Sequence, residues 1–96
     1  MNIQKMMAQA QVMQSKMQQE LEALRVEASA GGGMVTVAMS GTKEILAVRI
    51  DPACVDPSDV ETLQDLVLAA SREAARRVDE AVQKKTASVL GGMMGR

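Results

Sequence analysis

Aromatic side chains are missing altogether: the 96 residues include no Phe, Tyr or Trp, and no His either. Without aromatic rings there is no platform on which unpaired bases can stack, which argues against the usual single-strand and RNA-binding modules. The lack of His removes the commonest general base and metal ligand. The single cysteine, Cys54, cannot form an internal disulfide or a cysteine zinc cluster. A reducing cytoplasm is the natural compartment. No apolar run approaches the roughly 20 residues of a membrane span. The opening stretch "MNIQKMMAQAQVMQ" is interrupted by Gln too often to be a signal-peptide core. A basic excess is missing as well. The formal net charge is −1, so a nucleic-acid role must rest on where the charges sit and not on their total.

Apolar residues make up 47% of the chain, too many for a disordered segment, and Met alone accounts for 9 of them. The length fits one domain, residues 1–96, with a small core that gains from a partner chain. Residues 3–24 predict a helix about 33 Å long. Ile3, Met6, Met7, Ala10, Met13, Met17, Leu21 and Leu24 recur at steps of three and four. The period then changes to two. Val26, Ala28 and Ala30 share one face of a first strand, Val35, Val37 and Met39 of a second, and Leu46, Val48 and Ile50 of a third. Replacing Leu46 or Val48 by Asp is accordingly expected to unfold the protein. Short Gly-containing connections make the three strands, residues 25–51, an antiparallel meander. In "DPACVDPSD", two prolines end the sheet. Asp56 is the expected cap of a second helix over about 57–90, with Pro57 in its first position. Its stripe is Val60, Leu63, Val67, Ala70, Ala74, Val78 and Ala81. Gly91 and Gly92 should stop it, leaving 91–96 as a flexible tail. The fold class is α+β, in the order α-β-β-β-α.

The run Gly31–Gly33 has two readings. A phosphate-binding loop needs a strand before it and a helix after it, so that backbone N–H groups converge on the anion. Here a strand follows, with no Lys-Ser or Lys-Thr pair, so the glycines serve a hairpin turn. Cys54 has no basic neighbour in sequence and reads as a small, partly buried thiol. Asp51, Asp56, Asp59, Glu61 and Asp65 fit no calcium-loop spacing and read as caps and a solvated face. No nucleophile, base and orienter occur together, so no enzyme, cofactor, metal site or small-molecule substrate is expected.

The second helix is acidic in its first half and basic in its second. Glu73 with Arg77, and Glu80 with Lys84, are i,i+4 pairs that support a lone helix, and cations near its end suit the dipole. The same cations can reach phosphate. The Met stripe of the first helix exceeds what a small sheet can cover. The second sheet face, with Met34, Ala38, Ile45 and Ala47, is not polar. An apolar surface of that extent marks an interface, and a two-fold homodimer is the simplest partner. Met13 and Met17 join those four as its candidate residues.

In sequence order, "MMAQAQVMQSKMQQELEAL", "GGGMVTVAMSG", "VRIDP" and "LQDLVLAASREAARRVDE" together resemble the YbaB/EbfC family of small bacterial nucleoid-associated proteins. The resemblance covers nearly the whole chain, although the tail "GGMMGR" departs from the longer, Pro-containing tail common in that family. It implies a dimeric, non-enzymatic protein of the cytoplasm and nucleoid, shaped like tweezers, whose partners are duplex DNA and a second copy of itself. It also implies DNA contact through the two long helices. By position, the candidate phosphate contacts are Lys5, Lys16, Arg72, Arg76, Arg77, Lys84 and Lys85, basic groups taken to be confined to those helices. The alternative is an interaction adaptor whose Met/Gln-rich helices dock partner helices.

Overall fold

The computed structural model describes residues 2–94, with side chains described to residue 88; the end of the expected tail lies outside these residues. Helix α1 (Ile3–Ala23) is followed by strands β1 (Arg25–Ala30), β2 (Val35–Ser40) and β3 (Ile45–Ile50). A short 3-10 turn (Pro52–Cys54) then leads to helix α2 (Val60–Met94). The strands form one antiparallel sheet in the order β1-β2-β3. The molecule is long and thin, 69 × 25 × 15 Å.

The strand alternation has the expected physical consequence. Val26, Ala28 and Ala30 stand opposite Met39, Val37 and Val35. The small apolar face of α2, with Ala70, Ala74 and Val78, closes on them to form the buried core. Small residues on α2 let the helix sit close to the β-branched floor, and Leu63, Leu66, Val67 and Val82 pack around the edge.

That core covers only β1 and β2. Val48 and Ile50 lie opposite Val37 and Val35, on the helix-facing side. Yet Leu46, Val48 and Ile50 remain 44, 44 and 38% exposed. The expectation that Leu46 and Val48 are core residues is therefore corrected. A single helix spans about 10 Å and cannot roof three strands at 4.8 Å spacing plus their side chains. A bulge adds a second correction. The register runs Ala38 to Ala47 and then Met39 to Ile45, so Leu46 is the extra residue. Ile45 is thereby paired with core-facing Met39, whereas simple alternation puts it with Ala38 and Ala47.

Helix α1 stands away from this core and buries none of its residues. Asn2 caps it, its side chain accepting from the Lys5 backbone N–H at 3.1 Å. At the other end the backbone N–H of Gly41 donates to the carbonyl oxygens of Leu21 and Leu24, at 2.9 and 3.2 Å. The last turn of α1 is thus satisfied by the turn between β2 and β3, which roots the helix at that end of the sheet.

Helix α2 begins later and ends later than expected. Asp56 closes a turn, accepting from the backbone N–H and hydroxyl of Ser58 at 2.9 and 2.7 Å. Asp59 then caps the helix, accepting from the N–H and hydroxyl of Thr62. The helix also runs through Gly91 and Gly92 to Met94. A Gly costs a helix interior only about 1 kcal/mol, which a long preformed helix can absorb.

All three hairpin glycines have positive φ, as the turn reading requires; Gly31 sits at +66°. A Cβ there would also lie 2.8 Å from Leu66 Cδ2, whereas at Gly32 (+70°) it would meet nothing within 4 Å. Gly32→Ala should therefore cost only the backbone strain, about 1 kcal/mol. Gly31→Ala should cost more, because Leu66 must also move. Paired urea melts of the two variants check this ordering.

Candidate nucleic-acid interface

The seven cations assigned to the long helices fall into distinct groups once their partners are known. Glu73 lies on α2 within reach of Arg76 and Arg77, three and four positions on. Its carboxylate accepts from Arg76 Nε and Nη2 at 2.9 and 2.6 Å, and from Arg77 Nε at 3.1 Å. Arg76 also pairs with Glu80 at 3.1 Å. Arg77 reaches across to β1 and donates to the Glu27 backbone carbonyl at 2.7 Å. Lys85 pairs with Glu20 of α1 at 3.5 Å, a link between the two helices.

No such partner falls to the other four. Among the described residues, Lys5, Lys16, Arg72 and Lys84 take part in no ion pair. The expected Glu80–Lys84 pair is not formed, because Glu80 turns to Arg76. Nor does the helix dipole account for Lys84 and Lys85. Since α2 runs on to Met94 its last turn holds no basic residue, and the dipole acts only within that turn. Lys5 and Lys16 are three helical turns apart and share one side of α1, about 16 Å from each other.

Basic residues are not confined to the helices, which corrects that expectation. Arg25 and Arg49 flank Glu27 on the sheet, each pairing with it at 3.2 Å. Lys43 in the turn after β2 pairs with Asp79 of α2 at 2.8 Å. A sequence cannot separate Arg49 and Lys43 from free cations, because their partners lie strands or turns away.

The surroundings set the ionisation of one group. Hydrogen bonds from Arg76 and Arg77 hold the Glu73 carboxyl down at about 2, against an ordinary 4.5. A lowered folded value means that the stabilising effect is complete above the ordinary value and fades as pH falls from about 4.5 toward 2. The cluster is therefore intact at neutral pH. A carbon-detected NMR titration should find the Glu73 carboxyl still ionised at pH 3.5, where an unpaired glutamate is mostly protonated.

The remaining candidates sit as follows. Ala38 is already buried within the chain, Met17 and Ala47 are half-buried, and Met13, Met34 and Ile45 are exposed. Cys54 is half-buried beside the Met34 carbonyl. Among the described residues, no three Cys, Asp or Glu side chains come together as a metal site. No described helix is long and apolar enough to cross a membrane.

An elongated α-β-β-β-α chain thus carries, among the described residues, cations without ion-pair partners on both of its long helices. The architecture recurs in the crystal structure of an uncharacterized protein from Helicobacter pylori. That match has a TM-score of 0.74 at 22% identity and covers 95% of this chain and 99% of that one. The YbaB/EbfC DNA-binding family model matches residues 1–93, and the chain belongs to that family. A nucleoid-associated protein of Alkaliphilus metalliredigens is 52% identical over 95 residues, 96% of this chain and 83% of the relative. One from Acetivibrio thermocellus is 50% identical over 97 residues, 98% and 86% of the two chains. One from Koribacter versatilis is 47% identical over 92 residues, 96% and 91%.

Proposed function

We propose that two copies of this chain form a nucleoid-associated homodimer of the cytoplasm that binds duplex DNA with little sequence preference, through phosphates. The single observation that carries the reading is that, among the described residues, Lys5, Lys16, Arg72 and Lys84 stand without acidic partners at exposed positions of the two long helices. A cation with no internal partner gives up only water and counterions when it meets a phosphate. Arg76, Arg77 and Lys85 are secondary contacts, since each must first leave a carboxylate. The names of the relatives support the nucleoid setting. Two arms on one duplex offset the modest charge of each.

The homodimer reading is supported by apolar surface that one chain leaves open. The strip Leu46, Val48 and Ile50 on β3, and the Ile3, Met6, Met7 and Met13 stripe of α1, are all exposed. Met34 and Ile45 are exposed as well, Ala47 and Met17 are half-buried, and Ala38 has little left to bury.

The test is fluorescence anisotropy with duplex DNA across a salt series. Lys5→Ala with Lys16→Ala should weaken binding alike on unrelated sequences and lower the slope of log affinity against log salt by up to about two units. The fold should survive, since exposed positions change stability by about half a kcal/mol at most. Equal binding by wild type and variant would remove α1 from the interface and favour an adaptor role for its Met stripe.

A further inference from the structure

The Glu73 cluster lies on the helix proposed to meet DNA, yet it is closed on itself. Two guanidinium groups share one carboxylate, Arg76 is also held by Glu80, and Arg77 by the Glu27 carbonyl oxygen. Two acids and two bases sum to no net charge. Arg76, Arg77 and Glu80 are nonetheless about half exposed, so the cluster sits at the surface and not in the core. Burial does not require the pairing. An exposed ion pair adds little to the stability of a fold, so another anion can displace it. Phosphate also matches the guanidinium fork that carboxylate now fills.

We propose that Glu73 limits the affinity of this protein for duplex DNA by holding Arg76 and Arg77 in an internal ion-pair cluster, so that a backbone phosphate gains them only by displacing the Glu73 carboxylate. The inference rests on the DNA-binding reading above and adds an internal competitor to it. Glu73 is a positioning residue here: it touches the arginines and not the DNA. Its strong ionisation, maintained far below neutral pH, keeps the competitor in place under all ordinary conditions. Affinity is thereby kept low while the cations remain available at low salt, where phosphate competes best.

The experiment compares wild type, Glu73→Gln and Asp65→Asn by anisotropy on one duplex across a salt series. Asp65 lies on the same helix, exposed and in no ion pair among the described residues, so Asp65→Asn reports the bare effect of one lost negative charge. Glu73→Gln should bind about fivefold more tightly than Asp65→Asn at low salt, the fold-change equivalent of one exposed ion pair at its upper worth. Its salt slope should be steeper by about one to two units, one for each arginine released to phosphate. In a background that already carries Arg76→Ala and Arg77→Ala, Glu73→Gln should gain no more than Asp65→Asn does, a coupling that a general charge effect does not produce. Circular dichroism should show an unchanged helix content in each variant. Affinity and slope equal to those of Asp65→Asn would overturn the proposal. So would weaker binding by Glu73→Gln, which would mean that Glu73 aims the arginines at DNA. Absence of binding by wild type at low salt would instead remove the DNA-binding reading, and this inference with it.

Discussion

Gly41→Val should lower the thermal midpoint by on the order of 15 °C, the largest loss expected from any single change outside the core. The reason is local. Gly41 is buried at the end of β2, and a Cβ there would lie 2.5 Å from the Leu21 carbonyl oxygen and 3.0 Å from Leu21 Cα. These are backbone atoms of α1, so no rotamer change relieves the clash. Its N–H is also the group that satisfies the Leu21 and Leu24 carbonyls, so displacing Gly41 leaves the end of α1 unpaired. Overpacking of this kind costs about 3 kcal/mol, a large part of the stability of a small domain. A calorimetric scan of wild type, Gly41→Ala and Gly41→Val checks it. An unchanged midpoint would mean that α1 does not leave the sheet at this point. Because α1 touches little else, the same variants should also free its angle to the sheet, and DNA affinity should fall with stability.

Val48→Asp should convert the proposed homodimer to a folded monomer. In the isolated chain Val48 is 44% exposed, so a carboxylate there remains hydrated and the α2 core is undisturbed. In a dimer that buries the β3 strip, the same carboxylate would be enclosed without a partner, at a cost of several kcal/mol. Light scattering at low micromolar concentration should give about twice the 10.2 kDa chain mass for wild type and about that mass for the variant. Val37→Asp makes the contrast, since Val37 is fully buried within the chain and its replacement should abolish folding. A dimer that survives Val48→Asp would exclude the β3 strip from the interface.

The elements were legible because each rests on local chemistry. The step of three and four from Ile3 to Leu24 marks α1, and the alternation of Val35, Val37 and Met39 marks the central strand. The Gly31–Gly33 turn follows from the positive φ that only Gly adopts at little cost. What was not legible depends on distance in sequence. Helical spacing says that a face is apolar, not what covers it, so nothing along the chain announced that α2 roofs two strands and leaves β3 open. The bulge at Leu46 is set by pairing with β2, and one inserted residue moves Ile45 to the other face. Asp56 and Asp59 are both acceptable caps. The choice of Asp59 came from the Ser58 hydrogen bonds that commit Asp56 to a preceding turn. In the candidate interface, spacing found the Glu73–Arg77 pair but misassigned Glu80. It gave no sign that Arg77 reaches β1 or that Lys85 reaches Glu20. Hence, among the described residues, seven equivalent cations became four without ion pairs and three committed ones.

The central claim is phosphate-based binding to duplex DNA, and the salt dependence of wild-type affinity tests it most directly. Two unrelated duplexes of equal length should give the same affinity and the same steep slope of log affinity against log salt, about one unit for each phosphate contacted. A single strand of that length should bind no better, because the chain has no aromatic residue on which bases can stack. Affinity that is independent of salt, or no binding at the lowest salt, would contradict the account.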